Sequence, residues 1–371
     1  MKILQQCIYF PPEVGGLESH AFYLCKELVR LGDQVTMVTS RSKPESPARE
    51  VMAGVQVVRT WFPGKHTAGW IAHTLASVPA YMPLAPGADV LHAHTFASAL
   101  PGMLAKRRFG KPLVITLHTS HFLRLAKKPV WQPILRRIIA SADWLLAASV
   151  EIRDVALGLF PHPHAEALTN GVDTSLFERV APALPPASSK RMIVPRRLYQ
   201  KNGVEFLVRA LPLIRRELPV EVLIVGDGPE RARLEALARQ LEVQTCIHFL
   251  GARPNTDMPA LYASADVAVF PSLMEATSVA ALEAMSCEIP VAASNVGGLP
   301  EIVDPSVGAL FEPANPESLA RAVVDLLRGR DLRALGARAR ARVAQNWSLE
   351  RLARRHQEIY RMVTGPPFSS R

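Results

Sequence analysis

The feature that most restricts this chain is a repeating rhythm: a short apolar run, a turn built on Gly or Pro, a segment of helical period, then another apolar run. It starts at "KILQQCIYF" (2–10), passes through "PPEVGG" and enters a segment from about Leu17 to Leu31. There Phe22, Cys25, Leu28 and Val29 recur at helical spacing until Gly32 stops the helix. The run "DQVTMVTS" (33–40) completes a βαβ unit, and "DVLHAH" (89–94), "PLVITLH" (112–118) and "ADWLLAAS" (142–149) continue the series. Parallel strands need crossover connections, so alternation of this kind predicts a parallel sheet covered by helices on both faces.

The rhythm breaks between Phe177 and Met192, where "ERVAPALPPASSKR" is rich in Pro, Ala and Ser and has no period. It restarts at "RMIVPR", followed by a helix over Val204–Leu218, the strand "VEVLIVGDG", and a helix that Pro229 can open. The strands "CIHFLG", "DVAVFPS" and "VAAS" and a helical stretch from Pro316 close the series. A chain of 371 residues exceeds what one hydrophobic core usually organises. The expected division is residues 1–180, a linker at 181–190, a second α/β domain at 191–346, and a closing segment at 347–371.

The formal charge of +10 favours anionic partners such as phosphorylated substrates or acidic headgroups. The four cysteines, Cys7, Cys25, Cys246 and Cys287, are scattered without a C-x-x-C pair, which reads as buried thiols in a reducing cytosol. The opening "MKILQQCIYF" lacks the run of a signal peptide. From His66 to Ala88 there is no charged Asp, Glu, Lys or Arg, yet Pro79, Pro83 and Pro86 argue for a packed helix and loop over a membrane span.

Chemistry concentrates in "SLMEATSVAALEAM" (272–285), which holds Glu275 and Glu283. A hydrolase pair must sit about 5–9.5 Å apart, whereas eight positions on one helix rise about 12 Å. The two acids therefore do not share one carbon. Pro271 and Ser272 end a strand, Glu275 lies in the turn, and Thr277 or Ser278 starts a helix. Free amides at that start, at the carboxyl end of a parallel strand, favour phosphate. An extended nucleotide sugar fits this layout, with Glu275 touching the sugar, the amides of Ala276, Thr277, Ser278 and Val279 the diphosphate, and Glu283 the ribose; the spacing equally fits an amphipathic helix with a solvated Glu283 and a capping Glu275.

The ordered set "PPEVGGLESH", "DVLHAHT", "TLHT", "NGVD", "RRLYQKNGVEFLVRA", "VGDGPE", "FLG", "PSLMEATSVAALEAM" and "PVAASNVGGLPEIV", with the closing "LARRHQEIYRMV", resembles the family-four retaining glycosyltransferases over nearly the whole chain. The resemblance implies a GT-B fold: two Rossmann-like domains facing a cleft, with a C-terminal helix crossing back to the first. It implies transfer of a sugar, with retention, from a UDP- or GDP-linked donor to a hydroxyl of a glycan, lipid or small molecule. No cofactor or metal is implied; Arg, Lys and a helix start replace the cation.

On the matching positions, Gly15 and Gly16 let the backbone approach the donor, and Gly226 belongs to the turn after a donor-domain strand. His118 binds the donor sugar or acceptor, and Arg197 and Lys201 balance the leaving diphosphate. The chain departs from the family where it reads Lys201, Asn202, Gly203: counted from Arg197, Asn202 takes the lysine's place, so either Lys201 reaches in or Arg196 serves. His92, His94, His118 and His121 suggest a metal cluster, given little weight because nothing nearby completes it.

Lys106, Arg107, Arg108, Lys111, Arg124, Lys127, Lys128, Arg136 and Arg137 crowd part of the first half, as expected of a protein peripheral to an anionic membrane face in the cytoplasm, or of ordinary solvated helices. No nucleic-acid module is recognisable. Two other classes share the donor site: a sugar-nucleotide epimerase and a non-catalytic nucleotide-sugar binder.

Overall fold

A computed structural model describes residues 1–13, 15–118, 120–275 and 278–365, with backbone alone at Thr67 and Ser120. The chain divides into two compact units, Met1–Asn170 with Leu349–Arg371, and Gly171–Ser348. Each is an α/β layer structure of its own.

The first unit holds β1 (Lys2–Cys7), β2 (Gln34–Ser40), β3 (Arg49–Met52), β4 (Val55–Thr60), β5 (Val90–His94), β6 (Leu113–Leu117), β7 (Trp144–Ala147) and β8 (Ala165–Ala167). Their order is β3-β4-β2-β1-β5-β6-β7-β8. All pairings are parallel except β3 with β4, a hairpin turning through Ala53 and Gly54, both at positive φ. The chain crosses from one half of the sheet to the other between β1 and β5, the switch point at which open α/β sheets leave a crevice. Ile3, Val35, Val57, Val90, Val114 and Leu146 meet the helix Gly16–Arg30 on one face. The helix Leu349–Thr364 belongs to the same core through Leu352, Ala353, Ile359 and Tyr360. Its Gln357 amide donates to Asp33 at 2.7 Å, and Arg355 pairs with Glu166 at 2.7 Å.

The second unit holds β9 (Lys190–Pro195), β10 (Val220–Val225), β11 (Ile247–Gly251), β12 (Val267–Phe270), β13 (Val291–Ser294) and β14 (Gly308–Phe311), in the order β11-β10-β9-β12-β13-β14. Every pairing is parallel. Period-two alternation decides which side chain meets which helix layer. Met192, Val194, Val222 and Ile224 join one core, against Leu207, Leu211 and Ile214 of the helix Val204–Glu217. Ile193, Leu223, Ala268 and Phe270 join the other, against Leu282 and Met285 of the helix Val279–Ser286. The Pro-rich stretch expected to be a linker lies inside this unit: Ala183 N–H donates to the Ala260 carbonyl at 2.9 Å and Leu184 N–H to Ser264 Oγ at 3.0 Å. The unit instead begins at Gly171.

The uncharged segment after His66 forms the helix Thr67–Tyr81, capped by the His66 imidazole and carrying Pro79 inside it. Among the described residues no helix is long and apolar enough to cross a membrane.

Candidate functional site

In the second unit the switch point falls between β9 and β12, and four loops converge there at the carboxyl ends of the strands. Arg196, just after β9, hydrogen-bonds Ser272 Oγ and pairs with the Glu275 carboxylate, both just after β12. Leu273 N–H donates to the Lys201 carbonyl at 2.8 Å, joining the same two loops a second time. Three glycines permit the convergence. A Cβ on Gly203 would lie 1.9 Å from the Pro271 carbonyl oxygen, one on Gly226 2.1 Å from that of Arg196, and one on Gly297 1.6 Å from that of Glu275. The guanidinium of Arg196 also lies over the Phe270 ring, 5.6 Å from its centroid, and its buried Nε has no partner among the described residues.

Beyond Glu275 the chain re-enters description at Ser278, which caps the helix Val279–Ser286: its Oγ accepts from Ala281 N–H at 3.3 Å. Ala276 and Thr277, assigned to the diphosphate from sequence, lie outside the described residues. Glu283 sits further along that helix, and the Tyr262 hydroxyl reaches its Oε2 at 3.4 Å. Burial pushes the Glu283 carboxyl up from 4.5 to about 7, against a smaller downward pull from the Tyr262 hydrogen bond. A raised folded-state value means that the neutral acid suits the fold. Its stabilising contribution is full below pH 4.5 and is lost as pH rises through about 7. Thermal melts of parent and Glu283→Gln should therefore diverge with pH: the glutamine variant gains relative stability between pH 5 and 8, and a pH-independent gap contradicts this.

In the first unit Gly15 is the extended residue before the helix Gly16–Arg30, and no described atom lies within 4 Å of where a Gly16 Cβ would be. The space beside Gly15 is taken by Glu18, whose Oε2 would meet an added Cβ at 2.4 Å. A carboxylate at this position suits the positive end of the helix. His118, just beyond β6, is buried; its Nε2 lies 3.1 Å from His94 Nδ1, while its own Nδ1 has no partner among the described residues. Burial and then the neighbouring His94 press its pKa well below the ordinary value, so His118 is a neutral imidazole at pH 7.

Two family models match the sequence in turn: Glycosyltransferase Family 4 matches residues 14–176, and Glycosyl transferases group 1 matches residues 179–342. A GDP-mannose-dependent alpha-(1-6)-phosphatidylinositol monomannoside mannosyltransferase of Mycolicibacterium smegmatis is 30% identical over 91% of this chain and 92% of its own. The chain belongs to these glycosyltransferases. A phosphatidylinositol N-acetylglucosaminyltransferase component of Arabidopsis thaliana is 27% identical over 87% of this chain and 73% of its own. In fold, sucrose-phosphate synthase of Thermosynechococcus elongatus superposes with a TM-score of 0.85 at 23% identity, covering 97% of this chain and 98% of that one. Anabaena HepE, solved with UDP and glucose, gives 0.76 at 21%, covering 97% and 99%. The architecture is GT-B.

The two adjacent arginines point differently. Arg197 is exposed, its guanidinium 5.8 Å from the exposed Tyr199 ring, and Arg196 is the arginine that turns toward Glu275. Asn202, in the lysine's place when counted from Arg197, is buried, and its amide donates to the Arg197 carbonyl at 2.6 Å. Lys201 is exposed on the short 3-10 turn Gln200–Asn202. Counted from Arg196 rather than Arg197, Lys201 stands five residues on rather than four. The doubled arginine conceals that register, since in an isolated sequence either could face the strand end.

The four histidines grouped from sequence also separate. His121 lies on the helix Ser120–Ala126 beside Arg124, whose Nη2 is 3.0 Å from its Nδ1. His92 spends both nitrogens on Tyr360 and Thr116, each at 2.7 Å. His20, the last residue of "PPEVGGLESH" and given no role from the sequence, joins His94 and His118 instead.

Proposed function

We propose that this glycosyltransferase moves a sugar from a nucleoside diphosphate sugar to an acceptor hydroxyl with retention at the anomeric carbon. The observation that carries the reading is the Arg196–Glu275 pair across the β9/β12 switch point, beside the start of a capped helix. The two side chains are 11% and 15% exposed, so each is shielded yet reachable. When the donor binds, Arg196 and Lys201 face its diphosphate and Glu275 the sugar ring. The bond from C1 to the phosphate oxygen breaks, the acceptor oxygen attacks C1 on the same face, and its proton passes to the departing phosphate oxygen. Fixed positive charge where the diphosphate's negative charge develops lowers that barrier. Glu275 stabilises positive charge on the ring, and His118 holds a sugar or acceptor hydroxyl. Glu283 accepts from the ribose; in the assigned roles no metal takes part in transfer.

The test is a donor and acceptor screen with parent, Glu275→Ala and Glu283→Ala. Glu275→Ala should lose transfer while keeping nucleotide binding, and Glu283→Ala should chiefly weaken the donor. Parental rates in both variants at saturating and limiting donor overturn the roles. Release of a changed sugar without any acceptor would favour an epimerase, and binding with neither transfer nor hydrolysis a non-catalytic protein.

The acceptor side is proposed to work at an anionic membrane face in the cytoplasm. Arg107, Arg108, Arg124, Lys127, Lys128, Arg136 and Arg137 are exposed on the first unit, with Val130 and Ile134 exposed among them. Lys106 is engaged by Asp143 at 2.8 Å, so it contributes less. The phosphatidylinositol-linked names of two relatives agree with a lipid acceptor. Each well-placed charge contributes about 1 kcal/mol at such a surface. Neutralising Arg107, Arg108, Lys127 and Lys128 should lower partition onto anionic vesicles at least about tenfold; unchanged partition rules this face out.

A further inference from the structure

The first unit buries six imidazoles: His20, His73, His92, His94, His118 and His356. Three stand apart from the group: His73 Nδ1 lies 3.1 Å from Thr60 Oγ1, and Nε2 of His73 and of His356 lacks a partner among the described residues. His92 has both nitrogens bonded, and His356 Nδ1–H donates to the Leu352 carbonyl at 2.8 Å. The other three come from separate elements, the helix Gly16–Arg30, the end of β5 and the residue after β6, and converge. Each offers a nitrogen, and the three nitrogens lie within 4.8 Å of one another. Among the described residues neither nitrogen of buried His20 has a partner, nor does His118 Nδ1. We propose that His20, His94 and His118 form a binding site for one divalent ion of the zinc class.

The proton positions follow from the partners. Gln5 Oε1 can only accept, so His94 carries its proton on Nε2, which donates to Gln5 at 2.9 Å. His94 Nδ1 is then a free lone pair aimed at the group, and it accepts from His118 Nε2–H at 3.1 Å. Two imidazole nitrogens about 2.0–2.1 Å from a tetrahedral zinc ion stand roughly 3.3–3.4 Å apart. One edge of the coordination polyhedron is therefore nearly formed. For His118 to ligate through Nε2 it moves its proton to Nδ1, which lacks a partner in either tautomer; the bond surrendered to His94 is replaced by the metal. Gln5 is the outer support that orients His94, as outer partners of zinc-bound histidines commonly do.

Three imidazoles suit zinc, cobalt or nickel and offer nothing to magnesium or calcium, which need oxygen ligands.

The experiment uses the full chain, stripped with chelator and titrated with Zn²⁺ by calorimetry and with Co²⁺ by visible absorption. The parent should take one equivalent, show the intense d–d bands of tetrahedral cobalt, and melt several degrees higher with Zn²⁺. His20→Leu should bind at least about 100-fold more weakly and lose the Zn²⁺-dependent rise. It should also melt no lower than the parent in chelator, because it removes a buried group without partners. Gln5→Leu should weaken binding about 10–100-fold. Lack of one-equivalent binding or of the tetrahedral bands in the parent overturns the proposal without any variant. Unchanged zinc affinity in a folded His20→Leu overturns it as well.

Discussion

Arg196→Ala should lower kcat/KM for sugar transfer by about 10²–10³-fold, the loss typical of removing a preorganised group that meets developing negative charge. Arg197→Ala, at a side chain exposed beside Tyr199, changes it by less than about threefold. The pair of variants separates the two adjacent arginines, and a larger loss in Arg197→Ala contradicts the assignment. Stability complicates the first variant, since it leaves Glu275 shielded and unpaired. Arg196→Ala with Glu275→Gln removes the stranded charge. The double variant should regain most of the melting temperature lost by the single one and none of the activity. Recovery of both would mean that Arg196 serves the fold alone.

Gly297→Ala is expected to be the most damaging single methyl in the second unit. Gly297 has φ of +53°, and its added Cβ would stand 1.6 Å from the Glu275 carbonyl oxygen, a rigid backbone atom. The strain of a non-glycine residue in this region and the forced shift of the loop together cost about 2–3 kcal/mol. For a unit of this size that lowers its melting temperature by roughly 5–10 °C. Because the atom displaced belongs to Glu275, transfer should fall even at temperatures where the variant is fully folded. Gly329→Ala is the control, for no described atom lies within 4 Å of its added Cβ. Equal melting temperatures and rates in the two variants contradict the close approach on which the site geometry rests.

The strand–helix rhythm is legible because each buried parallel strand is a nearly unbroken apolar run and each crossover helix has an apolar stripe. "VLIV" and "VAVF" can hardly be read otherwise. The hairpin of β3 and β4 is not: Arg49–Met52 is short, polar and exposed on alternate residues, and its turn, Ala53-Gly54, is not a strong hairpin signal. The Pro-rich stretch before Met192 reads as a linker because nothing in its composition reveals that Ala183 and Leu184 bond back to the residues around Ala260 and Ser264. Glu275 and Glu283 stand out through their spacing after a strand. His20 does not, since one histidine on a helix carries no signal until β5 and β6 bring His94 and His118 against it. Spatial clusters from distant segments are invisible to a local pattern.

The most direct test of the central claim, that the β9/β12 switch point holds an activated sugar along its length, is an experimental structure of the protein with its bound nucleoside diphosphate sugar. The account predicts the diphosphate within hydrogen-bond reach of Arg196, the sugar ring against Glu275, and the ribose hydroxyls on Glu283. A diphosphate bound away from these loops, with the Arg196–Glu275 pair undisturbed, would contradict it.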